Sequence, residues 1–170
     1  MSTTFVAVLM GSDSDLPTMQ VTLNVLDALK IPYEVKITSA HRTPEATHTY
    51  VKHADQRGCA VFIAAAGLAA HLAGAVASLT LKPVIGVPME GGPLKGEDAL
   101  LSTVMMPGGI PVATVAIGKA GAKNAAYLAG QIIALSDPGL AERMKQDRET
   151  NAQAIIAKDA ELQRKLGKNS

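Results

Sequence analysis

The chain has 170 residues, 48% of them hydrophobic and 18% charged, with 16 basic against 15 acidic side chains for a formal net charge of +1. So even a balance leaves no basic footprint for a nucleic-acid partner, and 3% aromatic residues give few platforms on which bases could stack. The single cysteine, Cys59, excludes an intramolecular disulfide and reads as a small buried hydrophobe rather than a nucleophile.

Met1-Ser2-Thr3-Thr4 leads straight into a short apolar run with no basic lead-in, which does not fit a signal peptide. No stretch reaches the ~18 uninterrupted apolar residues of a membrane span, so a soluble cytoplasmic protein is expected. Phe5 to Met10 is continuously apolar, as befits a strand covered on both faces, and Gly11-Ser12-Asp13-Ser14-Asp15 follows as a polar turn. Leu16, Met19, Leu23 and Leu26 recur at spacings of three and four, which predicts a helix with Pro17 tolerated in its first turn. Asp15 is placed to cap that helix, or to accept hydrogen bonds from ribose hydroxyls.

Tyr33 to Ile37 reads as the second strand, and Thr38-Ser39-Ala40-His41-Arg42-Thr43-Pro44 carries it into a helix running to about Arg57, closed by Gly58. This junction concentrates chemistry. Arg42 can grip a phosphate, His41 is of the type that titrates near neutral pH, and Thr43 before Pro44 reads as an N-cap with its first helical residue. Val61 to Ala65 is the third strand, and Ala66-Gly67-Leu68-Ala69-Ala70-His71-Leu72 surrounds one histidine with small residues at a further strand-to-helix junction. By residue type, His71 among alanines reads first as a core histidine. After a helix to about Leu79, Val84 to Val87 is a short strand, Pro88 to Gly96 a mobile-loop candidate, and Glu97 to Thr103 a short helix. Val112 to Ile117 is expected as the fifth strand and Ala120 to Leu135 as the next helix.

The segment from Pro138 is much more charged and reads as one helix or a pair, frayed at Gly167 to Ser170. The expectation is one α/β domain over 1–170, with a core of about 5–135 and a peripheral helical tail over 136–170. Alternating strands and helices predict a doubly wound, flavodoxin-like parallel sheet in the order 2-1-3-4-5. Under that topology Gly11 to Asp15, Ser39 to Arg42 and Gly67 to His71 converge on one edge, and convergence of several groups is what a pocket requires. Ser12 and Ser14 offer hydroxyls suited to phosphate or carboxylate oxygens. Metal ligation is poorly served: His48 and His53 fall on different helix faces, and neither a Cys/His cluster nor a metalloprotease motif occurs. Lys119 and Lys123 read as solvated charges near a helix end.

Taken together, Gly11-Ser12-Asp13-Ser14-Asp15, Ser39-Ala40-His41-Arg42-Thr43-Pro44, Ala66-Gly67-Leu68-Ala69-Ala70-His71-Leu72, Pro83-Val84-Ile85-Gly86-Val87-Pro88 and Met106-Pro107-Gly108-Gly109-Ile110-Pro111-Val112-Ala113-Thr114 closely resemble the bacterial N5-carboxyaminoimidazole ribonucleotide mutases of de novo purine synthesis. The resemblance spans about Val6 to Leu135. It implies a three-layer α/β/α subunit with a C-terminal helical extension, assembled as a homo-octamer with sites at subunit boundaries, and without a metal or organic cofactor. It implies His41 and His71 as catalytic residues. The substrate-binding positions it implies are Ser12, Ser14 and Asp15 from the first loop, Ser39, Ala40 and Arg42 from the second, and Gly67, Ala70 and Leu72 from the third. The substrates would be a small ribonucleotide and CO2, the latter released from the exocyclic nitrogen and recaptured at ring carbon C4. Leu68 and Met105 depart from the residues many members carry, and both bear on the shape of the carboxylate pocket. Two alternatives stand beside this reading. One is an aminoimidazole ribonucleotide carboxylase that uses free CO2 on the same scaffold. The other is a non-catalytic flavodoxin-like or receiver-like module, disfavoured because Ala64-Ala65-Ala66-Gly67 replaces a receiver's phosphoacceptor aspartate.

Overall fold

The computed structural model describes residues 4–167, so the expected leader-free start and the fraying past Gly167 fall outside it. Five strands form one parallel sheet in the order β2-β1-β3-β4-β5, with β1 (Phe5–Met10) between β2 (Tyr33–Ile37) and β3 (Cys59–Ala66), then β4 (Val84–Pro88) and β5 (Ala113–Thr114). The order expected from the sequence is the order found. Every residue of β1 is buried, which is why its sequence shows no polar alternation.

Alternation along β1 assigns its side chains to two layers. Phe5, Ala7 and Leu9 share a cluster with Phe62 and Ala64 of β3, Val51 and Ala54 of α2 (Pro44–Gln56), and Leu72, Ala73 and Val76 of α3 (Leu72–Ala77). Val6, Val8 and Met10 turn to the other face, where α1 (Leu16–Ala28) buries Met19, Leu23 and Leu26 and α5 (Gly118–Ala134) buries Ala122, Ala125 and Ala129. The Thr22 hydroxyl ties these two helices by donating to the Ala122 carbonyl at 2.7 Å. Each fully buried valine, leucine or phenylalanine contributes about 1.5–3 kcal/mol, and this two-sided burial holds the strand ends in register at one edge. Cys59 is among the core residues, and burial pushes its thiol up to about 11, in keeping with an inert side chain.

Two expectations need adjusting. The fifth strand pairs only over Ala113–Thr114, with Val115 N–H still reaching the Gly86 carbonyl at 3.0 Å, rather than over Val112 to Ile117. As an edge strand it has a ladder on one side only, so an apolar run does not determine how far pairing continues. The short helix is α4 (Glu97–Val104), one residue longer than expected. The charged tail is a single helix, α6 (Pro138–Lys165), the first of the two forms expected for it; Asp137 caps it by accepting from Leu140 N–H at 2.9 Å. Gly58 ends α2 with φ +99, the left-handed geometry its position called for. The chain falls into two compact units, one up to Ile132 and one from Ile133 onward. No helix among the described residues is long and apolar enough to cross a membrane.

Candidate active site

All the strands are parallel, so the loops leaving β1, β2, β3 and β4 emerge at the same edge of the sheet. The first opens where Gly11 N–H donates to the Ala65 carbonyl at 3.0 Å. Ser12 then organises a short 3-10 turn: its hydroxyl accepts from Ser14 N–H at 3.3 Å and from the Ser14 hydroxyl at 2.9 Å. Asp15 precedes α1, yet its backbone is already helical and its side chain makes no capping bond, so the capping role considered for it is not the one it plays. Its carboxyl lines the cavity instead. Burial raises the carboxyl's pKa, the Ser12 backbone N–H partly offsets that, and the neighbouring Asp13 charge adds to it.

The second loop is braced by hydroxyls. Buried Thr38 bonds Thr47 at 2.7 Å, and Ser39 N–H donates to the Thr43 hydroxyl at 2.9 Å. Thr43 therefore ties the loop back on itself and does not cap α2 with its side chain, contrary to expectation. Arg42 N–H donates to the Ser39 hydroxyl at 3.1 Å, while the Arg42 Nη2 crosses to the first loop and donates to the Gly11 carbonyl at 3.0 Å. One arm of the guanidinium is thus fixed by backbone, which orients the rest of its planar donor fork.

The third loop carries His71 to the second. Its Nδ1 lies 2.8 Å from His41 Nε2, with ring centroids 4.8 Å apart and planes at 73°. Both histidines are exposed, so the core-histidine reading of His71 does not hold. A direct nitrogen–nitrogen bond constrains the tautomers. In the neutral pair the donating ring keeps a bare nitrogen on its far side, while the accepting ring carries N–H on its far side. The pair therefore presents one proton acceptor and one proton donor together.

These loops enclose an open cavity of about 640 Å³. That is within the usual size of small-ligand sites. Ser12, Ser14, Asp15, Ser39, Ala40, His41, Arg42, Gly67, His71 and Leu72 all line it. Ala70 does not: it is 1% exposed and belongs to the core, because the tight turn in which His71 N–H reaches the Ala69 carbonyl directs it inward. Reading the sequence missed the fourth wall, made by Met89, Glu90, Gly91 and Gly92 after β4. The signal was present, since Pro88 to Gly96 is a glycine- and proline-rich loop at the carboxyl end of a strand. Met89 N–H bonds the Ala66 carbonyl at 2.9 Å and so holds this loop beside the third.

The AIR carboxylase family matches residues 5–154. A curated relative from Synechocystis sp., named N5-carboxyaminoimidazole ribonucleotide mutase, is 54% identical over 159 residues, covering 94% of this chain and 89% of its own. One of the same name from Bacillus subtilis is 49% identical over 157 residues, covering 92% of this chain and 97% of its own. The crystal structure of Treponema denticola PurE superimposes with a TM-score of 0.84 at 34% identity, covering 94% of this chain and 98% of that one.

Proposed function

The chain belongs to the AIR carboxylase family, and from that premise we propose that it converts N5-carboxyaminoimidazole ribonucleotide into 4-carboxyaminoimidazole ribonucleotide, an isomerisation within purine biosynthesis. The observation that carries the reading is the 2.8 Å bond between His41 and His71 inside a nucleotide-sized cavity that also holds Arg42.

The chemistry asks for an anchor, a container and a proton carrier. Arg42, with Ser39 beside it, suits the phosphate through charge-assisted donors, the Ser12 and Ser14 hydroxyls suit carboxylate oxygens, and Asp15 accepts from the ribose hydroxyls. The carbamate C–N bond then breaks; its electron pair stays on the exocyclic nitrogen, which takes up a proton, and CO2 is released. The ring supplies the pair for a new bond from C4 to that CO2, and C4 gives up its proton to restore the aromatic ring. One proton must be accepted and one delivered, which is what the histidine pair offers at its two ends. Holding CO2 against the ring replaces a bimolecular capture by an intramolecular one. These steps need no metal or organic cofactor.

The proposal extends to a cytoplasmic homo-octamer with 1–170 as one α/β domain and 136–170 serving assembly. Support for assembly comes from large apolar side chains left in solvent, among them Leu81, Met105 and Leu101 at 103%, 78% and 61% exposure. The decisive experiment incubates purified protein with N5-carboxyaminoimidazole ribonucleotide and follows the 4-carboxylated product. Formation of that product, with labelled bicarbonate from the medium entering only slowly, is expected. Turnover solely of the uncarboxylated ribonucleotide, with immediate labelling, would replace the mutase by a carboxylase.

A further inference from the structure

Leu68 is a leucine in a conformation that suits glycine. Its φ is +55, in the left-handed region where a Cβ crowds its own backbone, and its side chain is 55% exposed, so core burial does not compensate. What the side chain meets is the loop after β4. A Cβ built on Gly92 would lie 2.6 Å from Leu68 Cδ2, so the isobutyl group occupies the space that a side chain at 92 would need. Gly92 itself has φ +64. The two loops already run side by side one step earlier, where Met89 N–H bonds the Ala66 carbonyl and a Cβ on Gly67 would sit 3.5 Å from Met89 Cβ. Leu68 against Gly92 is the next contact along that seam, and both residues line the cavity.

We propose that Leu68 is a positioning residue that closes the seam between the third and fourth loops and so retains released CO2 beside the ring. The proposal rests on the mutase reading and adds to it the element that sets retention. CO2 is small and uncharged, so no charge-assisted anchor holds it, whereas an apolar side chain filling the gap between two loops blocks its way out. Leu68 makes and breaks no bond. It alters only the division of CO2 between capture at C4 and loss to the medium, and the phosphate and ribose anchors lie on the other loops.

The test uses the full-length enzyme and N5-carboxyaminoimidazole ribonucleotide in isotopically labelled bicarbonate, measuring label per product formed together with the free uncarboxylated nucleotide that accumulates. Leu68→Ala and Leu68→Gly are expected to raise both by about tenfold or more, the scale at which apolar pocket carbons discriminate. Product-nucleotide affinity should stay within about twofold. Leu68→Gly should fold at least as stably as the parent, because glycine relieves the left-handed backbone. Gly92→Ala offers a second route: the new Cβ displaces the Leu68 methyl groups and raises labelling in the parent, and the same substitution made in the Leu68→Ala variant should add little to the rise already there. Labelling unchanged within about twofold in all these variants, alongside normal turnover by the parent, would overturn the role of Leu68 and leave the mutase reading standing. A parent enzyme that fails to turn over the carbamate would overturn the mutase reading and this proposal with it.

Discussion

Replacing His41 by asparagine should slow turnover by about 10²–10⁴-fold, or ~2.7–5.5 kcal/mol of barrier, which is the usual worth of a positioned acid–base group. Asparagine keeps a polar side chain of similar reach but has no nitrogen that titrates near neutral pH. Nucleotide affinity should change by no more than about tenfold, ~1.4 kcal/mol, because phosphate binding is assigned to Arg42. The structure sharpens this into a test of mechanism. His41 Nε2 and His71 Nδ1 are 2.8 Å apart, so the two rings share one proton and cannot each carry one on the bonding nitrogens. His71→Asn should therefore fall within the same range, and the double variant should be no more than roughly tenfold below the worse single one, as for groups acting as a unit. Independent groups would multiply their losses to about 10⁴-fold or beyond. Single-turnover formation of the 4-carboxylated product measures each rate, and titration with that product measures affinity. Multiplying losses would refute the paired relay, and normal turnover by His41→Asn would remove His41 from proton transfer altogether.

Arg42→Ala should chiefly weaken nucleotide binding, by roughly 2–5 kcal/mol if the phosphate contact is desolvated; calorimetric affinity equal to the parent's would place Arg42 outside the site. Asp15→Asn should raise stability at neutral pH: a carboxyl whose folded pKa is raised contributes stability below its ordinary value of 3.8 and loses it as pH rises through the folded value, so the parent carries the cost of the ionised form. Denaturation midpoints compared at neutral and acid pH would show the gain shrinking toward acid, and a neutral-pH midpoint below the parent's would contradict it. Glu34 runs the other way. The Arg57 guanidinium, bonded to it at 2.7 Å, and the Tyr50 hydroxyl hold its carboxyl below 4.5, so its contribution is present above that value and lost as pH falls through the folded one; Glu34→Gln should flatten this acid-side loss in the same measurement. If the chain assembles as proposed, removing 136–170 should lower the assembly state, since Ile155, Ile156 and Leu162 on α6 are 64%, 59% and 50% exposed and would suit a neighbouring subunit; a truncated protein sedimenting as the same oligomer would count against that.

Much of this was legible because local chemistry dictated it. The apolar run at Phe5 to Met10 had to be a strand buried on both faces, the spacing of Met19, Leu23 and Leu26 had to be a helix with one buried stripe, and the alternation of such segments admits few topologies. Once a parallel sheet follows, Ser12, Ser39, His41, Arg42, Gly67 and His71 must meet at the carboxyl ends of the strands, since every parallel strand delivers its loop to the same edge. Other features depended on atoms brought together from distant positions. By residue type His71 looked like a core residue among alanines, and although the parallel sheet brings its loop beside that of His41, 30 residues earlier, the chain does not indicate that the two rings bond directly. Asp15 and Thr43 had good capping chemistry, but Asp15 already lies in the helical turn that Ser12 opens and Thr43 is drawn into a local hydroxyl network. The extent of β5 and the meeting of Leu68 with Gly92 followed from packing, and the inward direction of Ala70 from a turn that the run of alanines does not announce. Residue type and periodicity state what a side chain prefers locally, whereas these outcomes depend on which surface of another element happens to lie within about 4 Å, and only the closed fold sets that distance.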